Sequence, residues 1–204
     1  MVTKRTGKQP NPPAPAPALE RRRFSIDEYD RMIAAGILCE DERVELLEGA
    51  IVCMAPIGVR HVAAVHRLTT RFSRELPDVI VSVQNPIRLP QGSEPQPDVA
   101  ILRPREDFYE SGLPGPADVL LLIEIADTSL EYDRDVKLPL YAAAGSIEVW
   151  IEDLNGERML VYREPKDGQY TRMQVIERGG TLAPLAFPEL TLALDDLLGS
   201  RRKP

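Results

Sequence analysis

Val119-Leu120-Leu121-Leu122-Ile123-Glu124-Ile125-Ala126 is the stretch that decides the fold. Its first five residues are apolar on both alternations. A strand of that kind has to be covered on both faces, which places it in the middle of a sheet with helices packed on either side. Glu124 stands at the end of this run. An isolated ionised carboxylate in such a place costs several kcal/mol or more, so it must be paired, hydrogen-bonded or bound to a metal. The plain alternative is that Glu124 lies just past the buried part and meets water or an arginine.

Downstream, residues 133–144 read as a helix closed by Gly145, and residues 147–151 as a further buried strand. Residues 159–163 and 170–176 follow as an antiparallel meander, with turns at Asp167-Gly168 and Gly179-Gly180 and a helical turn over 195–198. Upstream, residues 99–102 form a strand introduced by Pro97-Asp98; a proline is tolerated at a strand's first residue. Strands are also predicted over 79–83 and 87–89. Val62, Val65, Leu68, Phe72 and Leu76 recur at helical spacing across residues 59–76. Val44-Glu45-Leu46-Leu47 and Ala50-Ile51-Val52-Cys53-Met54 flank Glu48-Gly49, a hairpin pattern. Before it, Ser25 and Glu28 form a capping box, Tyr29, Met32 and Ile33 share a helical face, and Gly36 ends the helix.

The fold class is therefore α/β (α+β): a mixed sheet flanked by helices, with an added antiparallel meander near the C-terminus. A single domain is expected over 24–199. A proline-rich, basic, disordered arm precedes it over 1–23 and a short tail follows over 200–204. The length of 204 residues suits one domain, and 43% hydrophobic residues suffice for a sizeable core. Two cysteines, Cys39 and Cys53, are too few for a disulfide framework and read as reduced thiols. No run approaches the roughly 20 apolar residues of a membrane span, and no secretory signal is evident, so a cytoplasmic protein is expected.

Net charge is −7. Residues 1–23 carry six basic side chains against Glu20 alone, which leaves −12 on the remainder. A body that acidic repels a phosphate backbone. Either part of the acid lines a cation site that becomes competent once metal binds, or nucleic acid is not the substrate.

Asp98 and Glu124 carry the sharpest chemistry. Asp after Pro is by itself an ordinary turn residue, but here the next core strand brings in Glu124. Two carboxylates on neighbouring strands reach one hard cation, and Mg²⁺ (with Mn²⁺ as the alternative ion) prefers such a pair while keeping several waters. Lys137 lies in Asp133-Arg134-Asp135-Val136-Lys137-Leu138-Pro139-Leu140-Tyr141. Val136, Leu140 and Ala144 mark the buried face of that helix, which leaves Lys137 beside the apolar stripe. Pro139 is harmless only if the helix begins close before it. A lysine on a helix is ordinarily solvated, so its weight comes from context.

The three residues together resemble the PD-(D/E)XK nuclease superfamily, whose site is a Pro-Asp strand followed by a strand carrying an acid and a lysine. The lysine position of the second strand holds Ala126 here, so the chain looks like the variant in which the lysine has moved to the following helix, at Lys137. More closely, it is similar to the Uma-type family of bacterial endonucleases. The matching segments are Arg43-Val44-Glu45-Leu46-Leu47-Glu48-Gly49, residues 56–61, Pro95-Gln96-Pro97-Asp98, residues 124–129, residues 137–141 and Trp150-Ile151. The resemblance implies a restriction-endonuclease-like fold and a metal-dependent endonuclease acting on DNA, with a homodimer plausible. Asp98 and Glu124, with the Ile125 carbonyl, would then hold Mg²⁺, and Lys137 would orient water or stabilise the transition state.

Glu45 matches an acidic residue of the family and is a further ligand or water anchor, or else a solvated hairpin carboxylate. His61 matches a family histidine at a helix start; it contacts a phosphate or simply makes an ordinary hydrogen bond. Gln84 either orients water near the carboxylates or is an ordinary polar residue on an alternating strand, and Ser129 and Asp133 either support the site or cap the next helix. Two other functions stand beside the nuclease. One is a non-catalytic binding or assembly module on a nuclease-derived fold, favoured by the acidic body and by Ala126. The other is a metal-dependent hydrolase of a small phosphorylated substrate.

Overall fold

In a computed structural model that describes residues 21–39 and 42–200, the predicted core strand is β5 (Val119–Ala126), the third of six strands in one mixed sheet. The arm expected over 1–23 falls outside the described residues up to residue 20, and the tail from residue 201. Helix α1 (Ile26–Ala34) leads into a hairpin of β1 (Val44–Leu47) and β2 (Ala50–Cys53). Helix α2 (Val59–Glu75) follows, then β3 (Ile80–Val83), β4 (Val99–Leu102) and a short 3₁₀ turn into β5. A helical crossover, α3 (Leu130–Tyr132) and α4 (Leu138–Ala143) joined by residues 133–137, leads to β6 (Glu148–Asp153). The chain ends in β7 (Arg158–Lys166), β8 (Gln169–Glu177), the small pair β9 (Thr181–Leu182) and β10 (Leu192–Ala193), and helix α5 (Leu194–Leu198). The sheet order is β3-β4-β5-β6-β7-β8. Only β5 and β6 run parallel, since the crossover between them returns the chain to the same end of the sheet.

Both faces of β5 are covered, as its composition requires. On one face α2 and α5 bring Leu68, Phe72 and Leu197 against Ile123 and Trp150. On the other, Leu138, Leu140 and Tyr141 of α4 cover Leu122, Val149 and Ile151. The strand does not stop at Ile123: Glu124, Ile125 and Ala126 continue it and are buried, so Glu124 is not at a wet strand end. No helix among the described residues is long and apolar enough to cross a membrane. Cys39 and Cys53 are both free and exposed.

The local signals hold at the N-terminal side. Ser25 Oγ accepts from the Glu28 amide at 3.2 Å and Glu28 accepts from the Ser25 amide at 3.0 Å, closing the capping box. Gly36 adopts φ +67 just beyond the helix. Glu48 and Gly49 both have positive φ, the two-residue turn that matches the twist of a hairpin. A side chain at Gly49 would also meet the Phe24 carbonyl at 2.9 Å, so that position is doubly restricted. Of the predicted α1 face only Tyr29 is fully buried, and Ile33 is exposed, because the helix packs through its first two turns.

Two expectations are corrected. Residues 87–89 do not form a strand. Pro86 and Pro90 bound them, and a proline donates no ladder hydrogen bond. Ile87 and Leu89 are buried all the same, in a loop that folds on itself through Ile87 N to Pro95 O and Leu89 N to Ser93 O. The second correction is the crossover. The continuous helix expected over 133–144 is a short α-turn, a wider π-helical turn over Asp133–Lys137, and α4. Leu138 N donates to Asp133 O, five residues back. In a regular helix the Pro139 ring would strike the carbonyl four residues earlier, and the wider turn relieves that clash. The extra residue rotates the chain. Val136, expected on the buried face, is 41% exposed, while Asp133, Lys137 and Tyr141, spaced by four, share the buried side.

Glu152 on β6 gives a measurable consequence of this packing. It is fully buried, and neither carboxylate oxygen has a hydrogen-bond partner among the described residues; Arg67 Nη2 stands 4.0 Å away. Burial pushes its pKa up to about 7, against the pull of Arg67 and His61. Because the folded value lies above the unfolded one, the contribution to stability is complete below pH about 4.5 and is lost as pH rises through about 7. Glu152→Gln is isosteric with the protonated acid. It is expected to melt with the wild type at pH 4 and to be more stable at pH 8 by roughly 3 kcal/mol, for a shift of about 2.5 pKa units at 1.36 kcal/mol each. Urea unfolding of both proteins across that range checks it; parallel pH profiles would refute the assignment.

Candidate active site

The register of the central strands sets the site. Val99 of β4 lies opposite Ile123 of β5, and one step further along the antiparallel ladder puts Asp98 opposite Glu124. Both side chains belong to the alternation that faces α4. The Ile125 amide donates to Asp98 Oδ2 at 2.9 Å, so the carboxylate of one strand caps the backbone of the next. Asp98, Glu124 and Lys137 are 7%, 2% and 3% exposed.

Lys137 enters from the π-helical turn. Its Nζ lies 2.7 Å from Glu124 Oε1 and 3.5 Å from Glu45 Oε2, and donates to the Gln96 carbonyl at 3.3 Å. The ammonium is thus held between two carboxylates and a backbone carbonyl. Tyr141 donates its hydroxyl to Glu124 Oε1 at 2.6 Å, and Tyr132 to Glu45 Oε1 at 2.9 Å. Glu45 Oε2 also accepts from the Gln96 amide at 3.0 Å. Glu45 is thus a buried member of the cluster and not a solvated hairpin residue.

The other expected residues gather here as well. His61, in the first turn of α2, places Nε2 2.9 Å from Asp98 Oδ2. Gln84 Nε2 donates to Asp98 Oδ1 at 3.1 Å. Ser129 Oγ donates to Asp133 Oδ2 at 2.6 Å, and Asp133 is buried beside Lys137. Tyr132, Tyr141 and Arg43 were not singled out from the sequence. For Tyr141 the signal was present, since it follows Lys137 by four residues, one helical turn.

All of these residues except Tyr141 and Gln84 line a recess of about 460 Å³, within the usual range for small-ligand pockets. Five carboxylates line it, Glu45, Asp98, Glu124, Asp127 and Asp133, against Arg43, Lys137 and His61. A share of the acidic body is therefore concentrated at one place. Burial pushes Glu124 up to about 8, with Asp133 and Asp98 adding to it and Lys137 opposing it. Burial alone would lower Lys137, but Glu124, Glu45 and Asp133 outweigh it and hold the ammonium well above its usual pKa. Burial likewise raises Asp133 to about 6, against Lys137 and Ser129. Asp98 is the exception. Burial opposes its ionisation, but His61, the Ile125 amide and Lys137 together hold it below the ordinary aspartate value.

Whether this donor set suits a divalent cation can be asked of the lone pairs. Asp98 Oδ2 receives two donors and Oδ1 only one, so Oδ1 keeps a lone pair. Glu124 Oε1 receives two donors, and Oε2 has no hydrogen-bond partner among the described residues. Each carboxylate keeps an acceptor site next to the recess. Among the described residues no group of three or more His, Cys, Asp or Glu side chains is arranged around one point. Two carboxylates fit Mg²⁺, which retains several waters, better than ions that need a full protein cage.

Comparison with known proteins bears on the whole chain. The family model Uma2, described as "Putative restriction endonuclease", matches residues 26–195. No curated protein matches the chain. Among solved structures, a protein from Anabaena variabilis described as a "putative nuclease belonging to DUF820" superposes with a TM-score of 0.64 at 19% sequence identity. That match covers 86% of this chain and 97% of the other, and at such identity it establishes a shared fold.

Proposed function

The chain belongs to the Uma2 family, and from that premise we propose that it is a metal-dependent endonuclease that hydrolyses DNA phosphodiester bonds in the Asp98–Glu124–Lys137 recess. One observation carries the reading. Two buried carboxylates stand opposite each other on neighbouring strands, each with an acceptor site left, and a lysine ammonium lies 2.7 Å from one of them.

Asp98 and Glu124 hold Mg²⁺ or Mn²⁺ in this reading. The cation, when bound, supplies Lewis-acid charge neutralisation at the scissile phosphate. The chain's own residues prepare the site for it. His61, Gln84 and the Ile125 amide fix the Asp98 carboxylate and favour its ionised form. Tyr141 and Lys137 fix Glu124 by one oxygen and leave the other directed to catalysis. Lys137 stays an ammonium, so it acts as a fixed positive charge beside the developing phosphate charge and not as a general base. Glu45 and Tyr132 hold that ammonium in place from the hairpin side.

The test is cleavage of plasmid and single-stranded DNA in Mg²⁺, Mn²⁺ and chelator, for wild type and for Glu124→Gln. Glu124→Gln keeps the size and an acceptor for Tyr141 but removes the carboxylate that would ionise on binding the cation. Ion-dependent products from the wild type, and a loss of at least about 100-fold in the variant, are expected from losing one charge-stabilising group. Products that persist in chelator, or that survive in Glu124→Gln, would sink the reading.

A further inference from the structure

Among the described residues, every basic side chain around the recess but one is already engaged. Lys137 is paired with Glu124 and Glu45 and donates to the Gln96 carbonyl. Arg60, at the start of α2, is tied to Asp127 at 2.5 Å, to Asn155 at 3.0 Å and to the Leu154 carbonyl at 2.5 Å. His61 is turned onto Asp98. Arg43 differs. It lies just before β1 at the wall of the recess, half-buried, and its Nη1 donates to the Ala55 carbonyl at 3.0 Å. Among the described residues no carboxylate pairs with it. A guanidinium carries five N–H donors, and the contact with Ala55 uses one of them.

Charge makes this position consequential. Five carboxylates line the recess, and a cation on Asp98 and Glu124 offsets only part of that field. A phosphodiester entering it needs a positive partner that is not already spent. Guanidinium suits that task, because its planar fork matches two phosphate oxygens at once. The hydrogen bond to Ala55 fixes one arm of the fork, which reduces the entropy lost on binding. The walls beside it, Cys53, Met54, Pro56 and Ile57, are largely apolar and suit a sugar or base.

We propose that Arg43 is the phosphate-binding residue of this recess, holding the nucleic-acid backbone against the Asp98–Glu124 pair. The inference rests on the nuclease reading above and adds the residue that offsets the repulsion of an acidic protein for a polyanion. Arg43 binds substrate and leaves the chemistry to the carboxylates.

The experiment is fluorescence anisotropy of a short fluorescein-labelled oligonucleotide, with Ca²⁺ replacing Mg²⁺ to keep the strand intact, repeated over a series of salt concentrations. Wild type is compared with Arg43→Ala, Arg43→Lys and Arg43→Gln, each checked for an unchanged melting temperature. Arg43→Ala is expected to weaken binding roughly tenfold, and the slope of log affinity against log salt to fall by about one. Arg43→Lys should keep the slope and lose part of the affinity, having the charge without the fork. Arg43→Gln can still donate to Ala55 but carries no charge; if it binds as wild type does, Arg43 only supports the loop and the proposal is overturned. An Arg43→Ala protein with wild-type affinity and slope also overturns it, and leaves the nuclease reading intact. A wild type that binds no oligonucleotide at any salt overturns both.

Discussion

Asp98→Asn is expected to abolish metal binding in a calorimetric titration with Mg²⁺ or Mn²⁺, and to lower DNA cleavage by about three orders of magnitude. The size follows from the several kcal/mol of charge stabilisation that a cation supplies at a phosphoryl group, at 1.36 kcal/mol per tenfold. Asp98 is held below its ordinary pKa, so it is an anion at neutral pH. Its carboxylate takes N–H donors from Ile125, Gln84 and His61 and still keeps a lone pair on Oδ1. An amide has one oxygen, so the substitution removes the charge and leaves at least one of those donors facing an NH₂ group. A stability cost of about 1–3 kcal/mol is therefore expected too. Cleavage is to be compared at a temperature where circular dichroism shows both proteins folded. A variant that binds metal and cuts DNA at the wild-type rate would remove Asp98 from the site and the two-carboxylate reading with it.

The fold was legible where a residue's environment is set by its immediate neighbours in sequence. The apolar run from Val119 reads as a doubly covered strand because nothing else could satisfy it. Ser25 with Glu28, and Glu48 with Gly49, act within one turn of chain. The candidate site was legible in part for a related reason. Pro97-Asp98 and Glu124 sit at the ends of strands recognisable on their own, and their order leaves little choice but to make the strands neighbours.

What the sequence concealed depends on a register that Pro139 changes. Counting residues by 3.6 from Leu140 puts Val136 inside and Lys137 at the margin. The π-helical turn reverses that assignment, exposing Val136 and burying Lys137 with Tyr141. The Pro139 difficulty was visible, but not the way the chain resolves it. Glu45 was equally undetermined, because a polar residue in a short hairpin is buried or wet according to what packs on the hairpin. Here Tyr132 and Lys137, some ninety residues away in sequence, decide it.

Lys137→Met is the substitution with the largest expected effect on the fold itself. Methionine preserves the length and the apolar stem but removes the ammonium that lies between Glu124 and Glu45. Glu124 Oε1 would keep only Tyr141, and Glu45 Oε2 only the Gln96 amide. Breaking a buried pair from one side leaves Glu124 and Glu45 either charged and unpaired or forced to take up a proton, at a cost of about 3–5 kcal/mol. Urea unfolding should show that loss, and cleavage should fall by at least about 100-fold. Loss of activity alone does not separate a catalytic charge from a structural one, so the double variant Lys137→Met/Glu124→Gln is the informative protein. Removing both members of a buried ion pair is often close to neutral for stability, so the double variant is expected to regain much of what the single one lost while staying inactive. A double variant no more stable than Lys137→Met would mean that the ammonium does not hold Glu124. Lys137 would then have to act on the substrate by moving away from the carboxylates that surround it.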